Sequence, residues 1–402
     1  MELTIAEVKP IIKHIIDNNK KLEEKGIHPI ACELVGTAGI AKTALVEEIA
    51  KEYDANYVKL SLSQISEVGE ISGYPIREHY VCKPDGDCRW ITPELIDIYS
   101  KSGYEITDQT RMSYSVPKWI QELDPYKPTI VNMDDAGRCS NYISQAIMEI
   151  IYKQEFISWK LPKNTTIILT NNPDDGSFNT SSYDEAFKSR MVSFNVKFSG
   201  KVWSQWADSQ NLDPRAINFL LLYESELFNR KQGNSKVNAR NYTMFANIIA
   251  GLSDWSTIEN QALILQIASG CFLDDDDVVG GLFTQFIANK LDRLIDPEEL
   301  VLGEWESVRR KLAHQLYDDD NYRADIANVV TTRFINFSLN WMSNNKTIDP
   351  IVNRILEIID NEKRLLSEDL LFSLVKTITK SYTGKTAKLY LNPKIAKTLT
   401  AK

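Results

Sequence analysis

Gly36-Thr37-Ala38-Gly39-Ile40-Ala41-Lys42-Thr43 is the stretch that decides the fold of this 402-residue chain. Immediately upstream, Ile30 to Val35 is a short apolar run that reads as a buried strand. Downstream, Lys42 to about Tyr53 has helical spacing. A strand, a glycine-bearing turn and Lys-Thr opening a helix form the arrangement that cradles phosphates. The turn's N–H groups point inward, and the free amides and dipole of the helix start favour negative charge. In such a loop Lys42 reaches the β- and γ-phosphates of a nucleotide, and the Thr43 hydroxyl is a ligand for Mg2+. One position departs from the usual pattern: Ala41 stands where glycine is common. Its methyl group is accommodated only if the residue keeps an α-like backbone and turns the methyl away from the phosphates. Taken alone, the stretch also fits a tight strand-to-helix turn with a surface lysine.

Working outward, residues 4 to 25 carry Ile5, Val8, Ile11, Ile12, Ile15 and Ile16 at helical spacing. Further strands are expected at Tyr57–Leu62, Thr129–Met133, Thr165–Leu169 and Val192–Val196, with helices between them such as Tyr142–Tyr152. Strand and helix in alternation predict an α/β fold with a parallel sheet covered on both faces. After Gly200 the strand signals fade. Helices are expected at Val202–Ala207, Pro214–Phe228, Arg240–Gly251, Thr257–Phe272, Leu282–Leu294 and Trp305–Leu316. Three more are expected at about Tyr322–Trp341, Asp349–Glu362 and Ser367–Thr379. The expected organisation is therefore a nucleotide-binding α/β core at 1–199, an all-helical lid at about 200–295 and a helical C-terminal extension at 296–402.

The strand Ile130-Val131-Asn132-Met133 ends in two acids, Asp134 and Asp135. In a parallel nucleotide-binding sheet that strand ends beside the phosphate loop. Asp134 then serves the Mg2+ shell and Asp135 polarises the attacking water. An Asp pair capping the next helix is the plainer alternative. The next strand runs into Asn171-Asn172-Pro173, where a polar amide at the strand end can hydrogen-bond a γ-phosphate or the attacking water; Asn before Pro is also a turn former. Arg190 and Arg240 supply guanidinium groups further on, each uninformative singly.

The bulk numbers exclude several classes. Hydrophobic residues make up 43% and charged residues 25%, as in an ordinary globular protein. No apolar run reaches about 18 residues, so no membrane span is expected. Five scattered cysteines give no disulfide framework, and a reducing, cytoplasmic setting is the default. A net charge of −9 argues against a nucleic-acid footprint over the whole surface. Charge is uneven, however: Asp274 to Asp277 are acidic, and Lys376 to Lys402 hold seven lysines and no acid. These read as a solvated loop and a solvated tail; the sharper reading docks the tail on a partner or on nucleic acid.

Taken in order, the motifs resemble the MoxR-like branch of the AAA+ ATPases, in the style of bacterial and phage genomes. The matching segments are GTAGIAKT (36–43), ISGYP (71–75), VPKWI (116–120), IVNMDDAGR (130–138), LPKNTTIILTNNP (161–173), DEAFKSRM (184–191), WSQWA (203–207) and NARNYTMF (238–245). The resemblance runs from about residue 28 to 300, and the last hundred residues match only loosely. It implies ATP and Mg2+ as ligands, Asn172 as the sensor of the fourth strand, Arg190 as an arginine finger for a neighbouring subunit, and Arg240 as the lid sensor. It further implies a ring, commonly a hexamer, acting on a protein client, with a von Willebrand factor A-domain partner. In that family Ala also occurs before the lysine, whereas Asp135 replaces a glutamate. The carboxylate is thereby withdrawn by about 1.5 Å, and slow hydrolysis is expected.

Between the second strand and the acids, His79 to Trp90 reads as a β-hairpin with Pro84-Asp85-Gly86 at its turn, an insert at about 77–92. In the family that position carries a hairpin facing the ring pore, which would put Lys83 and Arg89 against a threaded partner. Cys82 and Cys88 read as a cross-strand pair of free thiols in preference to a zinc site, because four ligands are not in view. Trp119, Trp203, Trp206 and Trp305 read as packing residues. Three functions compete: a protein-remodelling ATPase, a DNA-acting motor, and a nucleotide-gated scaffold that hardly hydrolyses.

Overall fold

A computed structural model describes residues 2–173, 185–228, 237–381 and 385–400. Asp184 of the DEAFKSRM segment, the Asp274 side chain and Lys402 of the basic tail lie outside the described residues. The chain divides into two compact units, Met1–Lys197 and Phe198–Lys402.

The first unit is built on a six-stranded parallel sheet. Its strands are β1 (Glu2–Leu3), β2 (Ala31–Val35), β3 (Asn56–Ser61), β7 (Thr129–Asp134), β10 (Thr165–Asn171) and β11 (Met191–Val196), in the order β1-β11-β2-β10-β7-β3. The five expected strands are all present; the two-residue edge strand β1 is additional. The strand that feeds the phosphate loop, β2, lies between β11 and β10, and all seven residues of β10 are buried. Such strands read as apolar runs because helices cover both faces. The helix Ile5–Glu24 starts in a reciprocal cap, Glu7 N–H donating to Thr4 Oγ1 and Thr4 N–H to Glu7 Oε2. It buries Val8, Ile12 and Ile16, and the Asn19 amide holds both backbone groups of Ile30 at the start of β2, at 2.8 and 2.9 Å. Lys9 and Lys13 pair with Glu52 on the helix Lys42–Glu52.

The insert is larger than a hairpin. β4 (Pro75–Cys82) pairs with β5 (Cys88–Ile91) as expected, and a third strand, β6 (Glu105–Tyr114), adds to the other side of β4. The turn falls at Gly86 with φ 88°, which suits glycine. Cys82 and Cys88 are not free thiols but a disulfide. They oppose each other directly across the ladder with Cα atoms 4.1 Å apart. Lys83 and Arg89 are held within the insert: both cover the Tyr104 ring, and Arg89 pairs with Asp87 at 2.6 Å. Two short strands, β8 (Glu155–Phe156) and β9 (Trp159–Lys160), form a separate hairpin.

The second unit consists almost wholly of helices, and most of its described buried apolar residues form a cluster reaching from Trp203 to Ile395. A buried ion pair anchors the long helix Ala324–Asn344, Arg333 meeting Asp208 at 3.0 Å and also the Asn218 side chain at 2.9 Å. Two outcomes differ from expectation. The basic segment is not a loose tail: Ala387–Leu391 and Pro393–Thr400 are helices whose Leu389 and Ile395 are fully buried. Its Lys388 and Lys394 pair with Asp349 and Asp360. Trp206, expected to pack, is 46% exposed, whereas Trp203 is buried. No helix among the described residues is long and apolar enough to cross a membrane.

Candidate functional site

Because the sheet is parallel, the ends of β2, β7 and β10 meet along one edge, and the site is assembled there. In register, Thr170 of β10 faces both Leu34 of β2 and Asp134 of β7. The loop Gly36–Ala41 leaves β2 at this edge. Gly36 is required by space, since a Cβ there would lie 2.4 Å from the Val196 carbonyl oxygen and 2.5 Å from Ile40 Cδ1. Gly39 is required by its backbone, at φ 80°. Thr37 contributes its carbonyl, Ala38 lies between the two glycines, and Ile40 seals the loop with a buried side chain.

Ala41 does not keep the right-handed α conformation its methyl was expected to need. It caps the helix Lys42–Glu52 in the left-handed region, φ 68° and ψ 25°. An alanine in this conformation carries about 1–2 kcal/mol of steric cost.

Lys42 is buried, and its Nζ donates to the carbonyls of Gly36 (2.7 Å) and Thr37 (2.9 Å) and to Asn172 Oδ1 (3.3 Å). Thr43 Oγ1 donates to Asp134 Oδ1 at 2.9 Å. Asp134 also accepts from Thr170 Oγ1, and its other oxygen meets Lys59 Nζ at 2.9 Å. Burial pushes the Asp134 carboxyl upward, but the Thr170, Lys59 and Thr43 hydrogen bonds outweigh it and hold the group below the usual carboxylate range. Asp135 comes next in a left-handed turn, φ 53° and ψ 39°, which leads into the short turn Ala136–Arg138.

The structure thus brings Lys42, Thr43, Asp134 and Asn172 together around the loop, with Asp135 adjoining. Arg190 stands elsewhere. Met191, the next residue, is in register with Ala31 at the start of β2, so Arg190 lies at the opposite edge of the sheet, about a strand length or roughly 20 Å from Gly36. Its guanidinium covers the Tyr152 ring at 5.8 Å and donates to the Ala186 carbonyl. Arg240 belongs to the second unit, exposed in the first turn of the helix Ala239–Ile249 behind an Asn238 cap. His28 packs on Tyr152 with ring centroids 5.5 Å apart.

Sequence reasoning missed three residues here. Lys59 sits on β3 in register with Asn132, two residues before Ser61, which faces Asp134. Its only signal was a lysine within an otherwise half-buried strand. Asn171 and Glu33 are both buried, and Asn171 Nδ2 donates to Glu33 Oε1 at 2.5 Å. An acid in the middle of a buried strand was the signal for Glu33.

Fold and loop define an α/β phosphate-loop protein: a parallel sheet with a Lys-Thr helix start at its carboxyl edge and a mostly helical second unit. No protein-family model matches the chain. A 62-residue stretch is 42% identical to a Lon protease of Lachnoclostridium phytofermentans. The stretch is 15% of this chain and spans only 7% of that relative's length. Among solved structures, a mutant of RuvB from Thermotoga maritima matches 76% of this chain and 80% of its own, at 11% identity and a TM-score of 0.35.

Proposed function

We propose that this chain is an ATP-binding and ATP-hydrolysing AAA+ ATPase of the MoxR-like type, working as a ring that remodels a protein client. The observation that carries the reading is the meeting of Lys42, Thr43, Asp134 and Asn172 at one phosphate loop. Lys42 already lies against loop carbonyls and the sensor amide, so a short swing delivers its charge to β- and γ-phosphate oxygens. The Thr43 hydroxyl and the Asp134 carboxylate are hard oxygen donors 2.9 Å apart, a set that fits Mg2+. Bound there, the ion neutralises charge on the transferring phosphoryl group. Asp135 orients and polarises the attacking water from its left-handed turn, and Asn172 reads the γ-phosphate.

Arg190 serves the neighbouring subunit in this reading. Its place at the sheet edge away from its own loop supports that role, since it does not reach its own nucleotide. A ring, of six by resemblance, is implied by the same point. Arg240 acts as the lid sensor, with 200–295 as lid and 296–402 as extension. The client and a von Willebrand factor A-domain partner rest on the resemblance alone. The folded, ion-paired C-terminal segment weakens the case for DNA as the substrate.

A second reading, an ATP-gated scaffold with little hydrolysis, is favoured by the short side chain of Asp135. The deciding experiment is phosphate release by the full chain against a Lys42→Ala control, with and without candidate partners. Lys42-dependent release supports the ATPase; ATP-dependent assembly without release supports the scaffold.

A further inference from the structure

We propose that Glu33 and Asn171 are positioning residues that set the turn carrying Asp135, and that they tie this turn to the strand after Arg190. The inference rests on the ATPase reading above for its catalytic consequence, but its geometry stands apart from it.

Asp135 is held in the left-handed region, which Asp tolerates better than most side-chain-bearing residues but which still has to be fixed by its surroundings. Whether its carboxylate stays aimed depends on how firmly the Ala136–Arg138 turn is anchored. Two residues on, the Gly137 N–H donates to Asn171 Oδ1 at 2.5 Å. The amide of Asn171 turns its Nδ2 to Glu33 Oε1, also at 2.5 Å. The remaining Glu33 oxygen, Oε2, accepts from Ser193 Oγ at 2.6 Å. Both Glu33 oxygens are thus acceptors, so the Asn171 amide has one orientation that satisfies its neighbours, nitrogen to Glu33 and oxygen to Gly137. Glu33 and Asn171 are each only 4% exposed, and in such a low-dielectric setting their hydrogen bonds are stronger than in water and costly to leave unmade.

The chain of bonds crosses four segments: Ser193 on β11, Glu33 on β2, Asn171 on β10, and the Ala136–Arg138 turn after β7. Ser193 lies three residues after Arg190. A buried acid inside a β-strand is unfavourable unless it does something a valine cannot. Here it fixes the amide that fixes the turn.

The test uses the full chain and four variants: Asn171→Ala, Glu33→Ala, Glu33→Gln and Ser193→Ala. Glu33→Gln keeps an acceptor for Asn171 and turns its own amide nitrogen to the Ser193 oxygen, so it serves as the rescue variant. Two readouts are taken. The first is kcat against KM for ATP, with ADP affinity and the melting temperature tracked in parallel. The second is amide hydrogen exchange of the peptide covering 135–140, which reports the turn whether or not ATP is hydrolysed.

Asn171→Ala and Glu33→Ala are expected to lower kcat about 10- to 100-fold, as misplacement of a reacting group does. KM and ADP affinity should stay within about twofold, with faster exchange at 135–140. Glu33→Gln should keep most of kcat and the slow exchange, and Ser193→Ala should fall between. Unchanged exchange in Asn171→Ala overturns the proposal. So does a loss of ADP affinity equal to the loss of kcat. If Glu33→Ala does not fold, Glu33→Gln and Ser193→Ala carry the comparison, and equal, severe losses in both overturn the proposal. Absence of Lys42-dependent hydrolysis in the wild type would instead overturn the ATPase reading, while the exchange result still decides the relay.

Discussion

Lys59 holds the outer oxygen of the Asp134 carboxylate at 2.9 Å, while Thr43 and Thr170 donate to the inner one. A side-chain cation therefore stands on the acid assigned to the Mg2+ shell. Removing it, as in Lys59→Met, leaves more negative charge for the metal. With Lys59 44% exposed the gain is small, about 1 kcal/mol, or roughly fivefold in affinity. The Mg2+ concentration for half-maximal phosphate release is expected to fall by that factor. A rise would mean that Lys59 chiefly keeps Asp134 in place.

Ala41 carries the steric cost of a left-handed backbone, at φ 68°. Ala41→Gly is expected to relieve about 1 kcal/mol and raise the melting temperature of the first unit by about 2–4 °C. Scanning calorimetry checks this. A lower melting temperature would show that the loop leaves this conformation in solution.

Asp135 is one methylene shorter than glutamate. Lengthening it, Asp135→Glu, is expected to raise kcat several-fold with little change in KM. Asp135→Asn removes the base and should lower kcat by about 10²-fold or more. Steady-state phosphate release distinguishes the two, and equal activity in all three would remove Asp135 from the mechanism.

Arg190 lies a strand length from its own loop, so its loss should be repaired by a neighbour. Arg190→Ala and Lys42→Ala chains are each expected to be inactive, with about 10³-fold or greater loss for the arginine. Mixed, they should regain part of the wild-type rate, because an intact loop from one chain meets an intact arginine from the other. No recovery on mixing would place Arg190 in cis or outside catalysis.

Burial pushes the Cys32 thiol up to about 12 and the Cys139 thiol to about 11, with the nearby Glu33 adding to the shift at Cys32. At pH 8 their thiolate fractions are then on the order of 10⁻⁴ and 10⁻³. Iodoacetamide on the native, unreduced protein is expected to label Cys271 first, and reduction should add Cys82 and Cys88. Peptide mass spectrometry reads the order; early labelling of Cys32 would mean that β2 opens.

Several of these residues were legible in the chain itself. Lys42, Thr43, Asp134 and Asn172 stand out because each ends a recognisable strand or opens a helix. In a parallel sheet the ends of such strands share one edge. The five main strands and most helices were legible for the same reason, being long periodic or fully apolar segments. The third strand of the insert was not, since Glu105–Tyr114 alternates weakly and exposes most of its residues. The C-terminal helices hid behind their lysines, whose charges pair with acids far away in sequence.

What the sequence determined by itself is therefore the α/β class, the phosphate loop and the order of its partners, because local pattern and parallel topology suffice for these. Only the tertiary structure decided the left-handed backbone of Ala41, the Lys59–Asp134 pair, the Glu33–Asn171 relay and the edge on which Arg190 lies. Each depends on side chains brought together from separate strands or on a backbone angle imposed by the turn. Neither leaves a periodic trace along the chain.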